Sequence, residues 1–544
     1  MSPWSPDLAQ GVVKARIDVT PDVTLDVTIA RGPESTGGWR DLVAAPGEAH
    51  LGPIPPGQPL ACLWQLSDPH LCDAESPARQ EYLDRHADPD SPYRTALGDV
   101  GTYRPQEILT AQVGVAMVEA VNARQRGPVT GAVVDGVVIT GDLTDNAQGN
   151  ELTWYQRIVS GGVVSPRSGD AERSSWVGSQ GAPWDERYWH PDGPPPGTRP
   201  DLATRNFGYP MIPGLVEAAR CDLRSPGLEV PWISVPGNHD GLLQGTVPID
   251  ERLERLAVGG ERITDLPDGV HPLMTAHAIP GTGPARYLHD EASPRTPIPA
   301  DPARALLRPG EFALLTRGAD DGPAYFASDL GALRVIVLDT VNPHGGWQGS
   351  IDEAQLTWLV RELHAARDRY VVVASHHPSP SMTNDWAPAG AGRRILGPEV
   401  VELLLEHPQV IAWLAGHIHA HGVIVHERGE GPGHGGFVEL TTASLIDWPQ
   451  QGRILEFVRT KVQGRDYVAI VSTVMNHSAP IDWRAGDLAD HRRLASISRT
   501  LAANDYQLRD GSIRSLVLES IPQARNNLWL VADPHAAAGD EPFG

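Results

Sequence analysis

Cysteine is nearly absent. The 544-residue chain carries three, at positions 62, 72 and 221. They are too few and too scattered for a disulfide framework, and no CxxC spacing suggests a thiolate zinc site. Such usage fits a reducing, cytoplasmic location. Long hydrophobic runs are missing as well. No window reaches the roughly 18 consecutive apolar residues of a membrane span. The opening MSPWSPDLAQGVVKARIDVT lacks the charged segment and apolar run of a secretory leader. Basic charge is scarce: 44 Lys and Arg against 68 Asp and Glu leave a net charge of −24. A chain this acidic repels polyanions at long range, so nucleic acid is not expected as a partner. A local basic pocket for one small anion is still allowed.

What is abundant is loop material inside a globular composition. Proline (50) and glycine (56) are frequent, with 40% hydrophobic and 21% charged residues, which predicts long ordered loops. The length allows about two to four domains, or one domain with large insertions.

A recurring unit organises the chain: a short apolar run that stops abruptly in a polar cluster. ACLWQLSDPH (61–70), GVVITGDLTDN (136–146), VPWISVPGNHD (230–240), YVVVASHHP (370–378) and VIAWLAGHIH (410–419) are five such units. Runs of this length bounded by Gly or Pro read as buried strands, as does ALRVIVLDTV (332–341). Helical spacing fills 105–127, 352–367 and 397–408. Strands alternating with helices imply an α/β sheet core, in which ligand sites form at the carboxyl ends of strands. Every polar cluster lies there. Residues 1–57 read as an N-terminal extension and 58–458 as the main domain. Lid-like insertions are expected at 147–229 and 241–330, and a β/helical extension packed on the core at 459–544.

The clusters are Asp68-x-His70, Gly141-Asp142-x-x-Asp145, Gly237-Asn238-His239-Asp240, His376-His377 and Gly416-His417-x-His419. Each alone could be a polar strand-to-loop junction, since Asp, Asn, His and Gly are ordinary turn residues. Together they offer carboxylate, imidazole and amide donors, a mixture suited to borderline divalent ions and too rich in imidazole for calcium. One tetrahedral zinc takes at most about four ligands, whereas two ions sharing a carboxylate would use this larger set.

These five ordered blocks resemble the signature of the calcineurin-like metallophosphoesterases, and LSDPHLCDAESPARQEYLDR (66–85) is similar to an actinobacterial branch of that superfamily. The resemblance implies a metallo-dependent phosphatase-like α/β sandwich, with two mixed β-sheets flanked by helices and long insertions. It implies two divalent transition-metal ions (Mn, Fe or Zn) and a shared hydroxide as nucleophile. Asp68, His70 and His419 would hold one ion. Asn238, His376 and His417 would hold the other, and Asp142 would bridge them. His239 would protonate or stabilise the leaving oxygen, and Asp145 would orient it. The purple acid phosphatases carry Tyr where this chain has Asp145, so no purple colour is expected.

The function implied is hydrolysis of a small or medium organic phosphate ester. A phosphodiesterase is favoured over a phosphomonoesterase, and a silent scaffold on the same fold is the contrasting class. Association with further copies of the chain is compatible with the sequence. His377, Arg187 and Arg205 are candidate substrate contacts. Arg187 and Arg205 belong to the aromatic insertion around WVGSQGAPWDERYWHPDG (176–193), which reads either as a lid over the metals or as a loop anchored by Trp176, Trp184 and Trp189. His421 extends the histidine alternation beyond the signature and reads as a bystander. The stretch from Asp447 to Arg453 reads as site rim or plain turn.

Overall fold

The apolar runs form strands, and each stops where its polar cluster begins. The computed structural model describes residues 12–15, 28–45, 57–86, 88, 91–93, 103–275, 290–307, 323–429, 435–506 and 527–536. A seven-stranded sheet has the order Val12–Ala15, Asn527–Ala532, Arg465–Asn476, Gln451–Val462, Gly57–Leu66, Gly136–Ile139, Trp232–Ser234. A six-stranded sheet runs Phe326–Leu330, Leu333–Val337, Tyr370–Ala374, Val410–Ala415, Gly436–Thr441, Gly422–Glu427. The last three strands of the first sheet are parallel to one another. So are the four middle strands of the second.

The sheets pack face to face. Leu63, Val138, Phe457 and Ile470 of the first meet Val335, Val372, Leu414 and Val438 of the second. Helices cover the outer faces. Thr110–Ala123 and Gly149–Ser160 bring Val113, Met117, Leu152 and Ile158 to the first sheet. Glu353–Ala365 and Gly397–Leu405 bring Leu359, Leu363, Val400 and Leu404 to the second. Strands buried on both faces need apolar residues at every position, which is why they read as continuous runs rather than alternating ones. The result is the expected two-sheet α/β sandwich. Among the described residues no helix is long and apolar enough to cross a membrane.

Two of the expected boundaries fall within or beside continuous elements. A domain limit at 458 falls inside the strand Gln451–Val462, which pairs with Gly57–Leu66 on one side and Arg465–Asn476 on the other. The segment after 458 therefore supplies interior strands of the first sheet instead of lying on a finished core. The insertion beginning at 147 opens with a core helix, Gly149–Ser160. Its aromatic part is an anchor: Trp176 and Trp189 are 0% exposed and pack with Trp39, Tyr103, Tyr209 and Trp483. Trp184 stacks on His190 at 4.1 Å. These rings fasten the insertion to the helix His491–Ala503, whose Leu494 and Leu501 join the same cluster.

The Trp176 indole donates to Glu107 Oε1 at 2.7 Å. Trp176→Phe leaves that buried carboxylate one donor short, at a cost of about 1–3 kcal/mol in unfolding free energy. Denaturant titration measures that loss. If the ring gripped substrate, KM for a phosphate ester would rise as well; an anchor leaves KM unchanged.

Candidate metal centre

Five parallel strands from two sheets end at one place, after Leu66, Ile139, Ser234, Ala374 and Ala415. Hydrogen bonds lock these ends together. Thr140 N donates to Leu66 O at 2.9 Å, and Asp68 N to Gly141 O at 3.1 Å. Across the two sheets, Gly416 N donates to His376 O at 2.9 Å and Gln65 Nε2 to Ala415 O at 3.0 Å. The turns beyond are tight. Asp68, His70, Asp142, His417 and His419 all have positive φ, at 50°, 43°, 49°, 70° and 53°. A left-handed L-residue costs roughly 1–2 kcal/mol, so five at one site mark a geometry imposed by its surroundings. Gly141, with φ 92°, admits no side chain, because a Cβ would run into the His376 ring.

The ligand-type atoms fall into overlapping groups whose members lie within 4.8 Å of one another: Asp68, His70 and His419; His376, His377 and His417; Asp68, Asp142 and His376; His70, Asp142 and His239. Asp142 belongs to two of them. Three imidazoles share one arrangement, Nδ1 tied outward and Nε2 turned inward. His70 Nδ1 meets Asp145 Oδ1 at 3.0 Å. His376 Nδ1 donates to Thr140 O at 2.8 Å. His419 Nδ1 meets Asp447 Oδ2 at 2.7 Å. Their Nε2 atoms face carboxylates at 3.5 Å (Asp142), 3.1 Å (Asp142) and 3.4 Å (Asp68) respectively. Such outward bonds fix tautomer and ring orientation in metal sites. His417 instead turns its Nδ1 to His376 Nε2, at 3.2 Å.

Electrostatics follow from this packing. Burial lowers the pKa of His376, but Asp142 and Asp68 outweigh it and bring it up to about 9. Burial likewise opposes the rise at His419, which Asp68 and Asp447 carry to about 9. Burial raises Asp142, yet His376 and His239 hold it well below the usual carboxylate range. Protons sit where the surrounding carboxylates call for cations. Among the described residues, two buried atoms of these clusters have no hydrogen-bond partner, Asn238 Oδ1 and His70 Nε2. Buried polar atoms are normally paired, and an amide oxygen and an imidazole nitrogen beside carboxylates suit a divalent transition metal. The residues present fit such ions.

The other expected residues are placed as follows. The Asp145 carboxylate does back up a histidine, but that histidine is His70. His239 Nδ1 bonds to the Asp145 backbone carbonyl at 2.6 Å, because the carboxylate turns away toward His70 and Arg79. Burial holds His239 down at about 4. His377 has both nitrogens engaged: Thr340 Oγ1 donates to Nδ1 at 2.7 Å and Nε2 donates to Trp347 O at 3.0 Å. It is fully buried and cannot reach substrate, because its ring braces a loop. Arg187 pairs with Asp185 at 3.6 Å and Arg205 with Glu186 at 3.0 Å. These are local ion pairs of the insertion and leave neither guanidinium directed at the cluster. His421 is buried against Gln451 and Arg453, outside the ligand groups.

Residues not singled out from the sequence complete the surroundings. Arg79 bonds the Asp145 carboxylate and, at 2.7 Å, Glu107. Arg104 Nε lies 3.0 Å from Asp447 Oδ1. Asp447 itself turns the rim stretch into a support for His419. Asp240 ties its turn to the preceding cluster by accepting from Gly237 N and Thr144 N at 2.8 and 2.9 Å.

Parts of the chain are similar to known proteins. The family model for calcineurin-like phosphoesterases matches residues 201–421, a stretch holding Asn238, His376, His417 and His419. A 3′,5′-cyclic adenosine monophosphate phosphodiesterase of Pseudomonas aeruginosa is 34% identical over 93 residues, 17% of this chain and 32% of that protein. A "probable cyclic nucleotide phosphodiesterase" of Rhodococcus erythropolis is 35% identical over 114 residues, 20% of this chain and 34% of that protein. The chain thus spans about a third of the length of each of these relatives. A dimetal phosphatase from Danio rerio aligns over 77% of this chain and 100% of its own, at 14% identity and a TM-score of 0.28, a likeness too weak to carry weight.

Metal loading has a predictable pH dependence. Below pH about 9 the inward nitrogens of His376 and His419 carry protons, and a ligand must give its proton up to bind an ion. Affinity for Mn or Zn therefore rises from pH 6 to pH 9, with release of about two protons per fully loaded chain. Calorimetric titration in buffers of different ionisation enthalpy counts them. Asp447→Asn, which weakens the outward bond of His419, lowers metal affinity about 10–100-fold.

Proposed function

We propose that this chain, which belongs to the calcineurin-like metallophosphoesterases, hydrolyses phosphodiesters of small or medium organic molecules at a centre for two divalent ions. We read it as a metal-dependent phosphoesterase, on the family match and the relatives, and the diester preference and the two-ion assignment are finer parts of the same reading. Asp68, His70 and His419 would hold one ion, Asn238, His376 and His417 the other, with Asp142 between them. Ions held there would supply positive charge for the phosphoryl oxygens and acidify water to a nucleophile.

The chain's own groups do the rest. His239 is half-buried beside His70, ring centroids 4.6 Å apart. Its Nδ1 is fixed on the Asp145 carbonyl, so only Nε2 is left to hand a proton to the leaving oxygen. With burial holding His239 at about 4, the charged donor form needs the negative charge of a bound phosphoryl group. Asp142 Oδ1 accepts from His239 N at 2.8 Å, which keeps His239 in register with the bridging carboxylate.

The observation that carries the diester reading is the commitment, among the described residues, of the arginines near the cluster and of the two arginines expected to reach it from the insertion. Arg79 is bound to Asp145 and Glu107, Arg104 to Asp447, Arg187 to Asp185 and Arg205 to Glu186. A monoester dianion is usually gripped by arginine forks in addition to metals. A diester carries one negative charge and needs less. The two relatives, both named as cyclic nucleotide phosphodiesterases, point the same way. The free thiols of Cys62, Cys72 and Cys221 support a reducing, cytoplasmic setting.

The protein loaded with Mn, Fe or Zn is expected to cleave bis-p-nitrophenyl phosphate faster than p-nitrophenyl phosphate. Asp142→Ala and Asn238→Ala should each lose metal stoichiometry and hydrolysis together while remaining folded by circular dichroism. Faster monoester cleavage would reverse the preference. Full activity and metal content in both variants would remove the site assignment.

A further inference from the structure

The loop HGGWQGS, residues 344–350, sets an exposed tryptophan against the metal centre. The Trp347 indole stacks on the His417 ring, with centroids 5.7 Å apart and planes 22° apart. Yet 44% of Trp347 remains exposed, as does 44% of Trp386 on the neighbouring loop, while Ile418 stands exposed between His417 and His419. Large apolar side chains are normally covered, and an exposed group of them rimmed by polar residues marks a contact site.

The loop is fastened on all sides. Gly346 N donates to Thr246 O at 2.8 Å, Gly349 N to Ser381 O at 2.9 Å and Ser350 N to Thr340 O at 3.0 Å. Asn384 Nδ2 donates to Gly345 O at 2.7 Å. His377 Nε2 holds the Trp347 carbonyl at 3.0 Å, and the hydroxyl of Thr340 fixes the other side of that imidazole. Even the lack of a side chain at Gly349 serves this brace, since a Cβ there would press on the His377 ring at 2.5 Å. The backbone of Trp347 is thus pinned through His377, the residue next to a metal-ligand candidate, while its ring stays open to solvent. A rigid, half-uncovered indole beside a reaction centre is preorganised for a flat partner, because little ordering remains to be done on binding.

We propose that Trp347 is a specificity platform on which a flat aromatic or heteroaromatic group of the ester stacks, with its phosphoryl group at the metal centre. This rests on the phosphoester reading above and narrows its substrate class. His377 acts as a positioning residue for the platform.

The test is calorimetric binding of phenylphosphonate and methylphosphonate to the Mn-loaded chain, which needs no turnover. Phenylphosphonate is expected to bind roughly three- to tenfold tighter, the scale of one aromatic stacking contact. In Trp347→Ala the ratio of the two dissociation constants falls to about one, and in Trp347→Phe, which keeps a smaller flat ring, part of it returns. Both changes spare the backbone bonds that fasten the loop. A ratio near one in the unaltered protein overturns the platform, and so does a ratio that survives Trp347→Ala. If the metal-loaded chain binds neither phosphonate, the phosphoester reading falls and takes the platform with it. Methylphosphonate binding without a phenyl advantage fells the platform alone.

Discussion

The hydrogen bond from His376 Nδ1 to the Thr140 carbonyl, 2.8 Å long, joins the two halves of the molecule at their functional edge. Thr140 follows the strand Gly136–Ile139 of one sheet; His376 follows Tyr370–Ala374 of the other. The bond settles the imidazole tautomer, so that Nε2 faces Asp142 at 3.1 Å. Asp142 can sit between the two ligand groups only because the sheets meet with their carboxyl ends aligned. Gly141 permits that approach, as any side chain there would occupy the space of the His376 ring. The sandwich packing of Leu63 and Val138 on Val335 and Leu414 is therefore also what closes the site.

Holding so many like charges together has a structural consequence. Asp68, Asp142 and Asp145 are all buried, and each buried carboxylate needs a compensating cation or donor. Protonated imidazoles and arginines provide them. From His70 the chain of contacts runs through Asp145 to Arg79, then to Glu107 and to the Trp176 indole. The insertion that carries Trp176 is thereby linked to a metal-ligand candidate through successive buried polar groups. Breaking one partner of such a series leaves an uncompensated charge, which costs far more than the series contributes when intact. The aromatic anchoring of the insertion is thus tied, through this series, to the orientation of the His70 ring.

Local sequence carried the strands and the polar clusters at their ends because each is written in contiguous residues. VIAWLA ends at Gly416, and the positive-φ turn with His417 and His419 begins there. The supports were illegible for the opposite reason. Asp447 lies 28 residues from His419, and Arg79 lies 66 residues from Asp145. No periodicity joins such pairs; only the closed sandwich does. That Asp145 meets His239 through its carbonyl and His70 through its carboxylate was illegible for the same reason, since spacing cannot tell which of the two faces a neighbour. Trp347 escaped notice because a tryptophan in a Gly-rich loop looks like a loop anchor. Trp176 and Trp189 are anchors of that kind, and solvent exposure alone separates the two cases. Likewise the strand Gln451–Val462 was cut at 458 because its partners on both sides are far apart in the chain.

The charge balance also explains why a net charge of −24 is compatible with an anionic substrate. The arginines near the cluster neutralise the protein's own carboxylates: Arg79 serves Asp145 and Glu107, and Arg104 serves Asp447. They are already spent on structure. On the two-ion reading, positive charge for a phosphoryl group would come from cations held by the acidic cluster, the same carboxylates that raise His376 and His419 to about 9. On the phosphoester reading, such carboxylates would act on the ester only indirectly, through the ions they hold. Selectivity would then fall to groups that carry no charge, and the exposed ring of Trp347 is the one proposed here.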